Sequence, residues 1–345
     1  MTQDARYNCF LADPYRMNTH WKTFLLAQQA LVENENNILF PSTGNIEQNS
    51  IYPLTHFAVL TVAGNDAALL LQGQITCNVN DINEHKSSLA AMCNPKGRVM
   101  ATFLLVKKAD SFLLVLPVEL LEIVKNRLQM YVLRSDVKII DSSDSYCLFG
   151  LCEAKPTAKS FLETEVQQDC IAVNFSGATS RKLMLADADK AINIWSRCVE
   201  SNGFRQASTG EWRFLDIIAG IPWLTTLTSE EFIPQMLNLD KLGGISFNKG
   251  CYTGQEIVAR THYLGKAKRE MFLAECDALV VPEPNSSIVY LEDERQEAIG
   301  KVLLAQKGQH NCKMLVVLQA LDPNLGVMAL KDYEYAQLNL LPFNA

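Results

Sequence analysis

The sequence lacks the marks of several protein classes. Its ten cysteines include no C-x-x-C pair, so neither a zinc ribbon nor a dithiol redox motif is spelled out. Cys147 and Cys152 come closest, but they lie in an apolar run where small core residues are expected. The five histidines (His20, His56, His85, His262 and His310) show no H-E-x-x-H or paired ligand spacing, and no protein-bound metal is expected. There is no P-loop and no G-x-G-x-x-G after a strand, which leaves nucleotide hydrolysis and dinucleotide binding unsupported. No run approaches the ~20 apolar residues of a membrane helix. The polar start, Met1–Phe10, carries no secretory stretch. With free thiols, these absences make the cytoplasm the expected compartment. A basic excess is missing too: 31 Lys and Arg face 38 Asp and Glu, for a net charge of −7. Any contact with nucleic acid would therefore need a local patch.

What is present is an ordinary globular composition. Of 345 residues, 48% are hydrophobic and 20% charged, enough for two or three domains at roughly 100–200 residues each. Residues 18–33 read as a helix capped by Asn18 or Thr19, with Trp21, Phe24, Leu25 and Leu31 at helical spacing. A polar stretch from Glu33 to Ser50 reads as a linker. Strands are then expected at Phe57–Val62, Ser87–Cys93, Arg98–Val106, Ser111–Leu116 and Val137–Ile140. Helices are expected at Asn65–Gly73 and from Pro117, where Leu121, Val124, Leu128 and Tyr131 share a face. A similar series follows: strands at Tyr146–Cys152, Ile171–Phe175 and Lys182–Ala186, and helices at Thr157–Gln167, Ala188–Ser201 and Gly210–Ala219. Hairpins mixed with helices predict an α+β class built from two split βαβ-type units. After Lys268, short strand candidates at Met271–Cys276, Ser287–Leu291, Ala298–Leu304 and Lys313–Val317 suit a small barrel or sandwich. The expected division is 1–50, an extension with helix and linker; 51–267, a two-lobed body; and 268–345, a β-barrel.

The chemistry concentrates at Asn248–Glu256. Thr253 followed by Glu256 has the spacing of a capping box, with helix continuing through Ile257-Val258-Ala259. Cys251 would then lie just outside a helix N-terminus, where unpaired amides favour a thiolate. Lys249 would add positive charge, and Gly250 and Gly254 would let a ligand approach the backbone. A half-buried cysteine in a tight turn would share these features.

The run Lys249-Gly250-Cys251-Tyr252-Thr253-Gly254-Gln255-Glu256 resembles the diagnostic motif of the YgfZ family, within the superfamily of the glycine-cleavage T-protein. Phe232-Ile233-Pro234-Gln235, Asn238-Leu239, Gly243–Phe247 and Val258-Ala259-Arg260 agree with the family pattern. Weaker similarity reaches back to about Phe57 through Gln72-Gly73-Gln74 and Pro95–Arg98. The resemblance implies a T-protein-like α+β fold: two intertwined lobes and a C-terminal β-barrel around a central site for tetrahydrofolate or a related folate. It implies Cys251 and Lys249 as the working groups, and Trp212, Phe57, Gln235, Tyr252 and Arg260 as folate-facing residues. It also implies partners, namely iron–sulfur client enzymes such as the one that thiomethylates tRNA.

Two features depart from the enzyme pattern. Ala101 and Thr102 stand where T-protein enzymes carry an aspartate pair, and neither can act as a carboxylate base. Ile218 stands where the superfamily places a pterin-binding glutamate. Losing that partner costs about 1–3 kcal/mol, so folate binding is expected to be weak. Three readings follow: a folate-binding factor for iron–sulfur assembly or repair with Cys251 as its thiol, a tetrahydrofolate-dependent one-carbon transferase using another base, and an RNA-associated adaptor without a small ligand. The basic run Arg260, His262, Lys266, Lys268 and Arg269 could hold a folate's glutamate tail or an RNA phosphate, or be a solvated linker.

Overall fold

The computed structural model describes residues 17–34, 36–41, 49–155, 159–167, 170–175, 180–265, 267–277, 281–293, 295–308, 311–319 and 326–343. The expectations for Met1–Phe10, His310 and Lys266, and for residues 35 and 42–48 of the expected linker, lie outside them.

Helix α1 (Thr19–Ala27) starts as expected, with Asn18 Oδ1 accepting from the Trp21 amide at 3.1 Å. It ends six residues early. Trp21 and Leu25 are buried, but Leu26 and Leu31 are exposed, so the apolar stripe stops after Leu25. The chain turns at Gln29 (φ +67°) and forms the hairpin β1 (Leu31–Asn34) and β2 (Asn37–Leu39). Strand β3 (Ser50–Pro53), buried at every position, follows.

The first lobe contains β4 (Phe57–Ala63), α2 (Ala67–Gln72), β5 (Ser88–Cys93), β6 (Val99–Lys108), β7 (Ser111–Pro117), α3 (Leu121–Gln129) and β8 (Lys138–Asp141). Its antiparallel sheet has the order β5-β6-β7-β4-β8. Leu121, Val124 and Leu128 bury the inner face of α3, as their spacing predicts. Pro117 does not open that helix. It closes β7, and a 3₁₀ turn over Val118–Leu120 comes first.

The second lobe contains β9 (Cys147–Glu153), β10 (Thr164–Gln167), β11 (Cys170–Phe175), β12 (Ser180–Ala186), α4 (Ala188–Ser196), β13 (Arg205–Gln206) and α5 (Thr209–Ile218). The helix expected over Thr157–Gln167 is absent where the chain is described. Residues 164–167 instead pair with β11, from Thr164 opposite Val173 to Gln167 opposite Cys170. Thr-Glu-Val-Gln carries little propensity of its own, and the edge of a ready sheet decides its state. The sheet order is β10-β11-β12-β9-β3-β13. Because β3 precedes the first lobe in sequence but sits inside the second lobe's sheet, the lobes are intertwined.

Helix α6 (Gln255–Leu264) leads to the last sheet: β14 (Arg269–Cys276), β15 (Ser287–Tyr290), β16 (Gly300–Lys307), β17 (Cys312–Gln319), β18 (Met328–Leu330) and β19 (Asn339–Leu341). Its antiparallel order is β18-β15-β16-β17-β14-β19, curled into a half-barrel. A single bridge, Ala329 to Gln337, ties one edge strand to the segment entering the other. Met271, Leu273, Leu303, Leu315 and Val317 of this sheet share one hydrophobic core with Leu60, Leu104 and Leu114 of the first lobe and Val173 of the second. The class is α+β, with antiparallel hairpins mixed with helices as the sequence predicts.

Candidate functional site

The motif loop is stitched onto the segment after α2. Thr76 Oγ1 donates to the Gly244 carbonyl at 2.6 Å, and the Ser246 amide donates to the Thr76 carbonyl at 2.9 Å. Further along, the Thr253 amide donates to the Gly73 carbonyl at 3.2 Å, and the Thr253 hydroxyl to Gln74 Oε1 at 3.3 Å. Between these seams, Lys249 Nζ donates to the carbonyls of Ile75 and Cys77, 2.7 Å each, and lies 5.0 Å from the centre of the buried Tyr252 ring. Burial lowers the Lys249 ammonium to about 8, because two carbonyl dipoles only partly replace its water.

The expected capping box does not form. Gly254, at φ +85°, is the N-cap of α6, and no side chain caps the helix. The reason is steric. A Cβ on Gly254 would lie 2.6 Å from the Asn94 carbonyl oxygen, and one on Gly97 would lie 2.7 Å from Ile257 Cβ. The start of α6 is therefore fixed by packing against the Asn94–Gly97 turn, while the Thr253 hydroxyl bonds to Gln74. Cys251 precedes this start by four residues and is exposed, whereas the other eight described cysteines are buried. Gly250 meets nothing within 4 Å of an added Cβ, so open space adjoins the thiol. The Lys249 charge is directed at Cys77, whose thiol burial raises to about 11 and Lys249 draws back.

A second site lies between the lobes and the half-barrel. A cavity of about 320 Å³ is lined by His56, Phe57, Glu119, Arg213, Asp216 and Trp223, with Pro282 from the segment before β15 and Leu304 from β16. Phe57 meets Trp223 edge to face at 4.8 Å and His56 at 4.0 Å. His56 is buried, and among the described residues both its ring nitrogens lack a hydrogen-bond partner. Burial, followed by the nearby Arg213 charge, holds this imidazole well below its ordinary range, so it is neutral near pH 7. Asp216 receives Arg181 Nη1 at 2.6 Å and Trp223 Nε1 at 2.9 Å. Beneath the cavity wall, Thr102 Oγ1 donates to the Pro222 carbonyl at 2.7 Å and accepts from the Leu224 amide at 3.2 Å.

The expected folate-facing residues do not converge on one cavity with the motif. Phe57 lines the cavity. Trp212 is fully buried. It packs where a Cβ on Gly150 would clash, has Tyr52 at 5.6 Å, and carries the Arg181 guanidinium 4.9 Å above its ring. Gln235 is buried and donates Nε2 to the Val258 carbonyl at 2.6 Å, bracing α6. Tyr252 lies under the Lys249 loop, and Arg260 is exposed on α6. Ile218 is half-buried at the end of α5, beside the cavity-lining Ile217. His56, Arg213, Asp216 and Trp223 are not marked by any motif. Their signal is spatial, since segments far apart in sequence bring them together.

The cavity fits a planar heteroaromatic group such as a folate's. It offers two aromatic faces, an unpartnered imidazole and a partly buried guanidinium. Among the described residues, no cluster of three or more His, Cys, Asp or Glu could hold a metal, and no helix is long and apolar enough to cross a membrane.

Residues 46–196 match the family described as the GCVT N-terminal domain. The chain is 33% identical over 240 residues to the tRNA-modifying protein YgfZ of Colwellia psychrerythraea, covering 67% of this chain and 73% of that one. It is 31% identical to the protein of the same name from Hamiltonella defensa, with 84% of each chain covered. For the Enterobacter protein the identity is 32%, with 74% and 81% covered. In structure it resembles the glycine cleavage system aminomethyltransferase T from Bartonella henselae, with a TM-score of 0.69, 12% identity and 86% of both chains covered, a likeness of fold. Relatives at this identity over more than two thirds of their length settle the family: the chain belongs to the YgfZ family.

Proposed function

We propose that this protein is a tRNA-modification factor, as its relatives are named, that binds a reduced folate and works through the Cys251 thiol to sustain iron–sulfur enzymes, the tRNA thiomethylation enzyme among them. The observation that carries this reading is the exposure of Cys251 on a loop where the nearby Lys249 and Thr253 side chains are tied down by hydrogen bonds. A thiol that water can reach and that no internal bond consumes can attack an electrophile or hold iron or sulfur. The cavity at Phe57 and Trp223 is the folate site in this reading. A bound folate would supply one-carbon or redox-active pterin chemistry there, and His56 and Arg213 would orient it. Aminomethyl transfer is disfavoured because Ala101 is buried and the Thr102 hydroxyl is committed to the Pro222 carbonyl.

The test combines a titration with a cell assay. Tetrahydrofolate binding to the full chain is expected to weaken about tenfold in Phe57→Ala, which removes a stacking face, and to be unchanged in Cys251→Ser. In cells lacking the gene, Cys251→Ser is expected to leave tRNA thiomethylation unrestored. Full restoration by Cys251→Ser would overturn the thiol's role. Folate affinity unchanged in Phe57→Ala would remove the folate from this cavity.

A further inference from the structure

A second open cavity, of about 390 Å³, adjoins the motif loop on the side of α6. Its wall includes Cys77, Lys86, Ser246, Asn248, His262 and Tyr263. It shares no lining residue with the Phe57 cavity. His262 lies flat on Phe247, with ring centroids 3.7 Å apart and planes 12° apart, and Tyr263 meets both edge-on at 6.2 and 4.8 Å. His262 is exposed and Tyr263 is 62% exposed, at the end of a helix whose only buried side chain is Val258. Phe247 packs partly against the main core, but the exposed His262 and Tyr263 rings at the cavity rim contribute little to it.

We infer that this cavity takes an unpaired nucleotide of an RNA strand, its base stacked on the Phe247–His262–Tyr263 cluster. A base has π-faces that stack on such rings, and unpaired bases are what RNA-binding surfaces most often read. The edges of a base need donors and acceptors, which Ser246 and Asn248 provide on the same wall. A phosphate needs a cation. Lys86 is exposed on this wall, and Arg260 and Lys268 are exposed on α6 and the segment after it. The acid on the wall, Asp81, accepts from Asn78 Nδ2 at 3.0 Å. Elsewhere the chain is acidic, so contact would be confined to this face instead of spreading over the surface. The site also adjoins the proposed reactive thiol. Lys249 reaches the carbonyl of Cys77, a wall residue, and Asn248 is three residues from Cys251. A nucleotide here would lie beside the motif loop, whether or not folate fills the other cavity.

The test measures binding of the full chain to an unmodified tRNA transcript by fluorescence anisotropy over a range of salt concentrations. Removing both exposed rings, in His262→Ala/Tyr263→Ala, is expected to weaken binding tenfold or more without changing the salt slope. Lys86→Gln is expected to lower the slope by about one phosphate's worth and affinity only modestly. Single-stranded oligonucleotides are expected to compete better than duplex RNA of equal length. Affinity within twofold of wild type in the ring variant, equal competition by the duplex, or no tRNA binding by wild type at low salt would each overturn the inference. Tetrahydrofolate titrations of the same variants separate the two sites. Folate affinity is expected to stay at the wild-type value, and absence of folate binding in every protein would count against the folate reading alone.

Discussion

Nine described cysteines and one buried imidazole show how strongly environment overrides residue type. Burial raises the Cys77 and Cys170 thiols to about 11 and those of Cys93 and Cys147 to about 12, so each is inert despite being the same group as Cys251. His56 shows the effect for a base. Its folded-state pKa is depressed by burial, while in the unfolded chain it titrates near the ordinary ~6.5. Below that value the unfolded chain takes up a proton that the folded chain refuses, so stability falls as pH drops below about 6.5 and is indifferent to this group above it. Urea unfolding of wild type is therefore expected to show a lower midpoint at pH 5 than at pH 7, and His56→Gln a smaller difference between the two. An equal difference in both proteins would mean that the buried imidazole is protonated or solvated. None of this environment could be read from the sequence, where His56 is one unpaired histidine before an apolar strand.

Among the elements, long apolar strands were readable because their burial is nearly continuous, as in Phe57–Ala63 and Ser111–Pro117. Most of the short ones were not, although the four-residue strands β8 and β15 lie where the sequence places them. Strand β10 is a polar edge strand created by its partner, β13 spans two residues beside β3, and β18 and β19 span three each. The motif loop was readable because its residues are contiguous, but the force that shapes it was misassigned. Thr253 and Glu256 have the spacing of a cap, yet close packing of Gly254 on the Asn94–Gly97 turn sets the helix start. The motif's two glycines therefore have different duties. Gly254→Ala is expected to cost about 1–3 kcal/mol, because it forces a side chain to positive φ and against a carbonyl. Gly250→Ala, with open space around it, is expected to change stability by no more than about 0.5 kcal/mol. Thermal unfolding of the two variants checks the contrast, and similar losses in both would show that the whole motif is a structural turn.

Across the whole molecule, the sequence reading places a boundary at residue 268, where short strands replace mixed elements, and β14 does begin at Arg269. Strand content changes there, but packing does not. Leu273, Leu303 and Val317 of the half-barrel sit in the same core as the lobes, and α5 packs on β16 and β17 as well as on β3. Asn238 Nδ2 donates to the Met271 carbonyl at 3.0 Å in a buried setting, and Lys301 pairs with Glu231 at 2.8 Å. The C-terminal stretch returns to the body too: Phe343 packs where a Cβ on Gly220 would lie 2.9 Å away. Separable domains meet through smaller, more polar contacts than these. The intertwining adds to this, since β3 cannot enter the second lobe's sheet until the chain on both sides of the first lobe is in place. A chain ending at Lys268 would leave the inner faces of α5 and of both lobes without their cover, and exposed apolar patches of that size favour aggregation. The full chain is therefore expected to unfold in urea as a single transition reported equally by tryptophan fluorescence and far-UV circular dichroism, and the 1–268 fragment to be recovered as aggregate. A soluble fragment with native-like near-UV dichroism, or two resolved transitions in the full chain, would show that the half-barrel folds as a unit of its own. The Phe57 cavity, walled by both body and half-barrel, would then open and close with their relative motion instead of being held at a fixed width.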